Sequence, residues 1–191
     1  MHSIFSLIRR DFHSYLKLHK NPNILTAVLA FFHNPGMFFS LIYRFERGLI
    51  YSNNQFINII GWFFLPFYFM VTYFILDFQI DVHTSLGPGL YLHNRGIIIA
   101  SGVKSGRNLT VLGPVTIGSA LDDGKSSPHS QSPHIGDNVI VCTGARVIGG
   151  INVGNNVIIG ANAAVIRDVP DDSLAVGVPA RCKPKRAVDQ I

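Results

Sequence analysis

Residues 135–165 read IGDNVIVCTGARVIGGINVGNNVIIGANAAV. Every sixth position in this stretch is a branched aliphatic: Ile135, Val141, Val147, Val153, Ile159 and Val165. Val139, Ala145, Ile151, Val157 and Ala163 form a second phase, four positions on, of small or branched residues. Gly136, Gly154 and Gly160 follow ladder residues. Asp137, Asn155, Asn156 and Asn162 recur beside them, and Asn and Asp tolerate turn dihedrals. A period of six matches neither a helix nor a hairpin strand, whose periods are about 3.6 and 2. It fits short parallel strands separated by turns and stacked as a β-helix.

The register extends backwards. Ile99, Val111 and Ile117 share the first phase, with Ser105 at the missing rung, and Val103, Leu109 and Val115 share the second. Ile117 and Ile135 are eighteen residues apart, three rungs of the ladder. Between them SALDDGKSSPHSQSPH has no ladder residues. It reads as a loop that leaves the coil and returns in phase, and a loop of this length on a rigid scaffold is usually functional. Ladder residues are core, so function must lie in whatever interrupts the ladder.

Upstream the composition changes. All fourteen Phe lie between Phe5 and Phe78, with Trp62 and five of the six Tyr, whereas fifteen of eighteen Gly and fourteen of sixteen Val follow residue 80. Across 191 residues apolar side chains make up 48% and charged ones 14%, with a mean hydropathy of +0.30. These values exclude a disordered chain or a coiled coil. The chain divides into a helical, apolar segment over 1–80, a β-helix over 81–180 with a loop at 118–134, and a basic tail over 181–191.

No charge occurs from Gly48 to Leu76. Residues 56–76, FINIIGWFFLPFYFMVTYFIL, are long enough to cross a bilayer, although Pro66 would kink a helix there and Asn58 weakens a simple span. A kinked span, helices dipping into one leaflet and helices packed on partner subunits all remain open. The net charge is +5. Aromatic residues do not interleave with the basic ones, which disfavours a nucleic-acid partner. Cys142 and Cys182 make no disulfide framework, and no His, Asp or Cys cluster has metal-ligand spacing, so no metal is expected. No signal peptide is legible, because Arg9, Arg10 and Asp11 interrupt the first apolar stretch. A cytoplasmic protein, or one at the inner face of the membrane, is expected.

Three stretches beyond the ladder resemble the hexapeptide-repeat acyltransferases, in the serine acetyltransferase-like branch that includes O-acetyltransferases of capsular and exopolysaccharides. They are LGPGLYLHNRGIII at 86–99, the loop after the VTIG rung, and VGVPAR at 176–181. The resemblance covers about residues 80–186. It implies a left-handed parallel β-helix, a homotrimer, acetyl-CoA as co-substrate in a groove between subunits, and direct transfer to a hydroxyl. An alcohol needs a general base at neutral pH, and histidine titrates in the right range.

On the family's pattern His93 is the base and Asp81, in DVH at 81–83, its orienting carboxylate, with two or three fewer residues between them than the family has. His134, Asn94, Arg95 and Lys125 are candidates for the acceptor. Gly144, Ala145, Gly160 and Ala164 would leave room for pantetheine, and Arg167, Arg181, Lys183 and Lys185 would meet phosphates. Gln131 and Ser132 stand where serine acetyltransferases carry an Arg-His pair that grips a carboxylate. The N-terminal segment is also shorter and more apolar than their helical domain. Both departures favour a sugar of a surface polysaccharide as acceptor. Serine O-acetylation for cysteine synthesis and an inactive membrane-bound scaffold are the alternatives.

Overall fold

The computed structural model describes residues 4–16, 34–119 and 132–185. Among the described residues three helices precede the coil: α1 (Ile4–Leu16), α2 (Pro35–Ile50) and α3 (Gln55–Phe69). Pro35 opens α2, where its missing N–H costs nothing. Asn54 caps α3 by accepting from the Phe56 N–H at 2.9 Å. The helix runs through Pro66 and continues as a π-helical segment, Met70–Leu76, closed by Asp77 in a left-handed conformation (φ 57°).

Among the described residues fourteen short strands follow. In chain order they are β1 (Phe78–Ile80), β2 (Tyr91–His93), β3 (Ile97–Ile99), β4 (Lys104–Ser105), β5 (Thr110–Leu112), β6 (Val115–Gly118), β7 (His134–Ile135), β8 (Ile140–Val141), β9 (Arg146–Ile148), β10 (Asn152–Val153), β11 (Ile158–Ile159), β12 (Ala164–Val165), β13 (Ser173–Val176) and β14 (Arg181–Pro184). They stack as three faces. The first is β1-β3-β6-β9-β12, the second β4-β7-β10, and the third β2-β5-β8-β11-β13-β14. Pairing is parallel throughout except between β13 and β14.

This is the parallel β-helix that the six-residue period requires. Each six-residue step moves the chain to the next face: Val141 lies on the third, Val147 on the first, Val153 on the second. Both ladder phases point inward, and their side chains form one continuous buried core. Ile117 ends on the first face and Ile135 opens the second. Eighteen residues therefore cover one step, and the loop is an insertion rather than three rungs.

Positive-φ asparagines turn the corners at Asn94, Asn108, Asn138, Asn156 and Asn162. Four of the corner side chains form a ladder of their own. Asn108 Nδ2 donates to Asn138 Oδ1 at 2.8 Å, Asn138 to Asn156 at 3.1 Å, and Asn156 to Asp172 at 3.1 Å.

A buried polar staple ties the helices to the coil. The Asp11 carboxylate accepts from Arg44 Nε at 2.8 Å, Ser40 Oγ at 2.9 Å, and the N–H groups of Gly89 and Leu90, each at 2.9 Å. Arg44 also donates to the carbonyls of Leu86 and Gly87. Residues 181–184, expected within a tail, instead form β14 on β13.

Candidate active site

His93 ends β2, at the edge where the third face turns into the first, and its side chain is exposed. The stretch leading to it is held from behind. Tyr15 Oη takes the Leu92 N–H at 2.9 Å, and Asp11 takes those of Gly89 and Leu90. Gly36 in α2 packs on the Leu92 carbonyl so closely that no Cβ would fit. Asn94 (φ 64°) and Gly96 (φ 76°) then turn the chain sharply into β3. His93 thus stands on a corner fixed by buried contacts on its inner side.

Its Nδ1 lies 3.1 Å from Tyr91 Oη, with the rings stacked at 5.9 Å. Burial pushes the Tyr91 phenol above its usual range, a shift opposed by a hydrogen bond with Asn34. Tyr91 and Asn34 were not anticipated from sequence. The position of Tyr91, two residues before His93 on the same face of a strand, is the signal that could have found it.

Asp81 does not meet His93 within one chain. It follows β1, at the edge between the first and second faces, where Oδ1 accepts from the His83 N–H at 2.7 Å and lies 3.1 Å from His83 Nδ1. A three-residue strand separates that edge from the one carrying His93, roughly 10 Å or more of extended chain. The acidic residue at the His93 corner is Asp77, whose carbonyl accepts the Gly96 N–H at 2.9 Å.

The other expected residues divide between these two edges. Asn94 and Arg95 are exposed beside His93. Strand register stacks His93, Leu112, Cys142, Gly160 and Val176 in one column, and Val176 pairs with Arg181 at its head. Five steps of about 4.8 Å make this column roughly 24 Å tall. Gly144 turns the same edge (φ 76°). A Cβ on Gly160 would come within 2.6 Å of Val176 Cγ1, so the glycine is needed for packing as well as for an open edge. Ala164 faces outward on the first face, under the Gly177–Ala180 turn.

Ala145, by contrast, is fully buried in the core and offers no surface to a cofactor. Arg167 is exposed at the first–second edge, away from Gly160. Lys183 and Lys185 sit on and just beyond β14, the latter donating its N–H to the Asp172 carbonyl.

His134 opens β7 on the second face, exposed, with Lys104 and Asn152 as register neighbours. Lys104, also exposed, is a cation beside His134 that the sequence reading missed. Ser132 is buried and donates to the Ser101 carbonyl at 2.8 Å, so it does not face an acceptor. Lys125 and most of the loop lie outside the described residues. Among the described residues no three His, Cys, Asp or Glu side chains gather in a metal-binding group.

No family model matches the chain. It is 36% identical over 108 residues to the serine acetyltransferase of Buchnera aphidicola, covering 55% of this chain and 38% of that protein. It is 37% identical over 111 residues to that of Staphylococcus xylosus, covering 57% and 49%. The chain thus spans half or less of the length of these relatives. Solved structures agree in fold. The serine acetyltransferase of Neisseria gonorrhoeae superposes with a TM-score of 0.77 at 24% identity, over 95% of this chain and 65% of that one. The soybean enzyme complexed with serine gives 0.76 at 23%, over 95% and 70%. A serine acetyltransferase complexed with CoA gives 0.74 at 24%, also over 95% and 70%.

These similarities support the resemblance to hexapeptide-repeat acyltransferases and run to serine acetyltransferases in particular. Because the superpositions take in 95% of the chain, most of the N-terminal helical segment lies within the matched fold. That segment was expected to be foreign to it.

Proposed function

We propose that the chain is an acetyl-CoA-dependent O-acetyltransferase with His93 as general base. The observation that carries the reading is the third–first edge: an exposed histidine on a rigid corner at its foot, Gly144 and Gly160 along it, and Arg181 at its head. Those residues suit acetyl-CoA, with the thioester at His93, the pantetheine arm along the glycines and a phosphate at Arg181. The cofactor supplies an activated acyl group whose thiolate leaves without covalent help from the protein.

In the tautomer that carries its proton on Nδ1, His93 donates to the Tyr91 oxygen 3.1 Å away. Nε2 then keeps its lone pair and faces outward. It takes the proton of the acceptor hydroxyl as the oxygen attacks and returns it to the departing sulfur, so His93 ends each turnover unchanged.

Serine is the acceptor the comparisons favour, since the relatives and structural neighbours described above are named for it. Lys104 beside His134 is a cation that could take its carboxylate. The second reading, a sugar hydroxyl, is favoured by Ser132, which stands buried where the family has a carboxylate-gripping side chain. Lys104, His134 and Asp81 lie at the first–second edge, where the chain leaves the coil after Gly118 and rejoins it at His134, apart from His93. A homotrimer would set the His93 edge of one copy against the loop edge of the next and so complete the site. Acetyl-CoA as donor goes with a cytoplasmic reaction.

The test is thiol release from acetyl-CoA by the purified chain, with serine or with polysaccharide as acceptor and the product identified by mass. O-acetylserine confirms the first reading, and acetylated sugar the second. No thiol release with either overturns both.

A further inference from the structure

A helix packed on a protein body ordinarily turns its apolar side inward. The continuous helical segment from Gln55 to Leu76 does the reverse. Only Gly61, Tyr68 and Thr72 are buried, with Asn58, Leu65, Val71 and Leu76 partly so. The two hydroxyls among them are satisfied internally, Tyr68 Oη by the Ile80 carbonyl at 2.7 Å and Thr72 Oγ1 by the Tyr68 carbonyl at 2.8 Å. The outward side is hydrocarbon and aromatic. Phe56 and Phe63, on one line of α3, and Phe74, in the π-helical segment, are 79%, 77% and 80% exposed.

Over Gln55–Phe69, at 100° per residue, the exposed side chains sweep roughly 240° of the circumference. The most apolar window has a mean hydropathy of 1.9 and is 17% buried. No charged residue falls between Gly48 and Leu76.

We propose that this arc is immersed in lipid, with the helix lying in the plane of a bilayer surface as a monotopic anchor. The width of the arc decides for lipid over a second copy of the chain, because one flat protein surface covers at most half of a helix's circumference. The inner contacts decide for an in-plane helix over a span. Gly61, Tyr68 and Thr72 fix three turns of it against α2 and β1, and the folded coil on that side cannot enter hydrocarbon. The segment is roughly 33 Å long, so it presents its length, not its end, to the membrane. Trp62 and Tyr73, each 51% exposed, lie on one flank of the arc, beside the protein. Amphipathic aromatics at that level suit the headgroup boundary, with the phenylalanines deeper.

The experiment uses the full chain and vesicles of phosphatidylethanolamine and phosphatidylglycerol. Trp62 is the sole tryptophan and reports directly. The chain should float with the vesicles, its emission should shift to the blue, and lipids brominated on the acyl chain should quench it. The triple variant Phe56→Ser, Phe63→Ser, Phe74→Ser alters only exposed side chains. It should lose vesicle partitioning roughly 100-fold while keeping its thermal transition and its thiol-release activity. A chain that stays unbound with unshifted Trp62 emission overturns the proposal, as does a triple variant that changes assembly mass but not partitioning. The Trp62 measurement needs no variant, so it decides even if the triple variant fails to fold. Neither readout depends on the transfer reaction, so failure here is distinct from failure of the proposed activity.

Discussion

Asp11→Ala should be among the most damaging single changes far from the reacting edge. Asp11 and Arg44 are 3% and 2% exposed, so their pairing is sealed from water. The carboxylate takes two donors from Arg44, one from Ser40 and two from the backbone at Gly89 and Leu90. Removing it strands a buried guanidinium, whose remaining partners are the Leu86 and Gly87 carbonyls, and orphans two N–H groups. Breaking one side of a buried ion pair costs about 3–5 kcal/mol, a large part of the ~5–15 kcal/mol typical of a folded domain.

The double variant Asp11→Leu with Arg44→Met removes both charges and should cost less than the single one, since no unpaired charge is left. Urea unfolding followed by far-ultraviolet circular dichroism gives both numbers, provided the slope with denaturant is unchanged. The orphaned groups lie just before His93, so thiol release should also fall at temperatures where the variant is still folded. An Asp11→Ala cost under about 1 kcal/mol would refute the reasoning, because it would mean that water reaches the pair.

His93→Ala should lower transfer by about 10²–10⁴-fold with an unchanged circular dichroism spectrum, and activity within about tenfold of wild type removes it as the base. Tyr91→Phe takes away the oxygen at Nδ1 and should cut kcat up to about tenfold, the worth of one hydrogen bond, with KM for acetyl-CoA unchanged; a purely structural role would lower the thermal transition instead. Arg181→Glu should raise KM for acetyl-CoA about tenfold or more at low salt, with kcat retained. Glu46, buried with Oε1 unpartnered among the described residues, has its carboxyl pushed above the usual range by burial. Its charged form is therefore penalised in the folded state at neutral pH, and the penalty fades as pH falls through the raised value. Glu46→Leu should stabilise by about 1–3 kcal/mol near pH 8 and by less near pH 5, and equal effects at both would contradict this.

The coil was legible in the sequence because its requirement is strictly periodic. A face of two or three residues and a corner of about three leave two inward positions in every six, so Ile135, Val141 and Val147, with Val139 and Ala145 between them, announce three faces by spacing alone. The loop was legible for the complementary reason, since nothing in it can serve as a rung. Its length in coil terms was misread, because an insertion of twelve residues keeps a six-residue register and hides that only one step is taken.

The site was less legible. His93 could be named because it interrupts the ladder in a recognisable setting. Its neighbour could not, because adjacency at an edge depends on which corner each residue turns. Asp81 and His93 are close in sequence yet lie at opposite ends of one face. Asp77, four residues earlier, shares the His93 corner through the β1–β3 register. Ala145 failed as a cofactor residue for a similar reason, since small size leaves room for a ligand only where the side chain points outward.

The asparagine ladder makes the coil additive. Asn138 and Asn156 each accept from the corner on one side and donate to the corner on the other, so a further coil carrying Asn at that position could be spliced between two existing ones without leaving a group of the ladder unpaired. Asp172 ends this possibility, because a carboxylate accepts from Asn156 and has nothing to pass on. The length of the solenoid is thus written in a single change from amide to acid, reinforced by β14 folding back over the last strand to close the open edge of the third face.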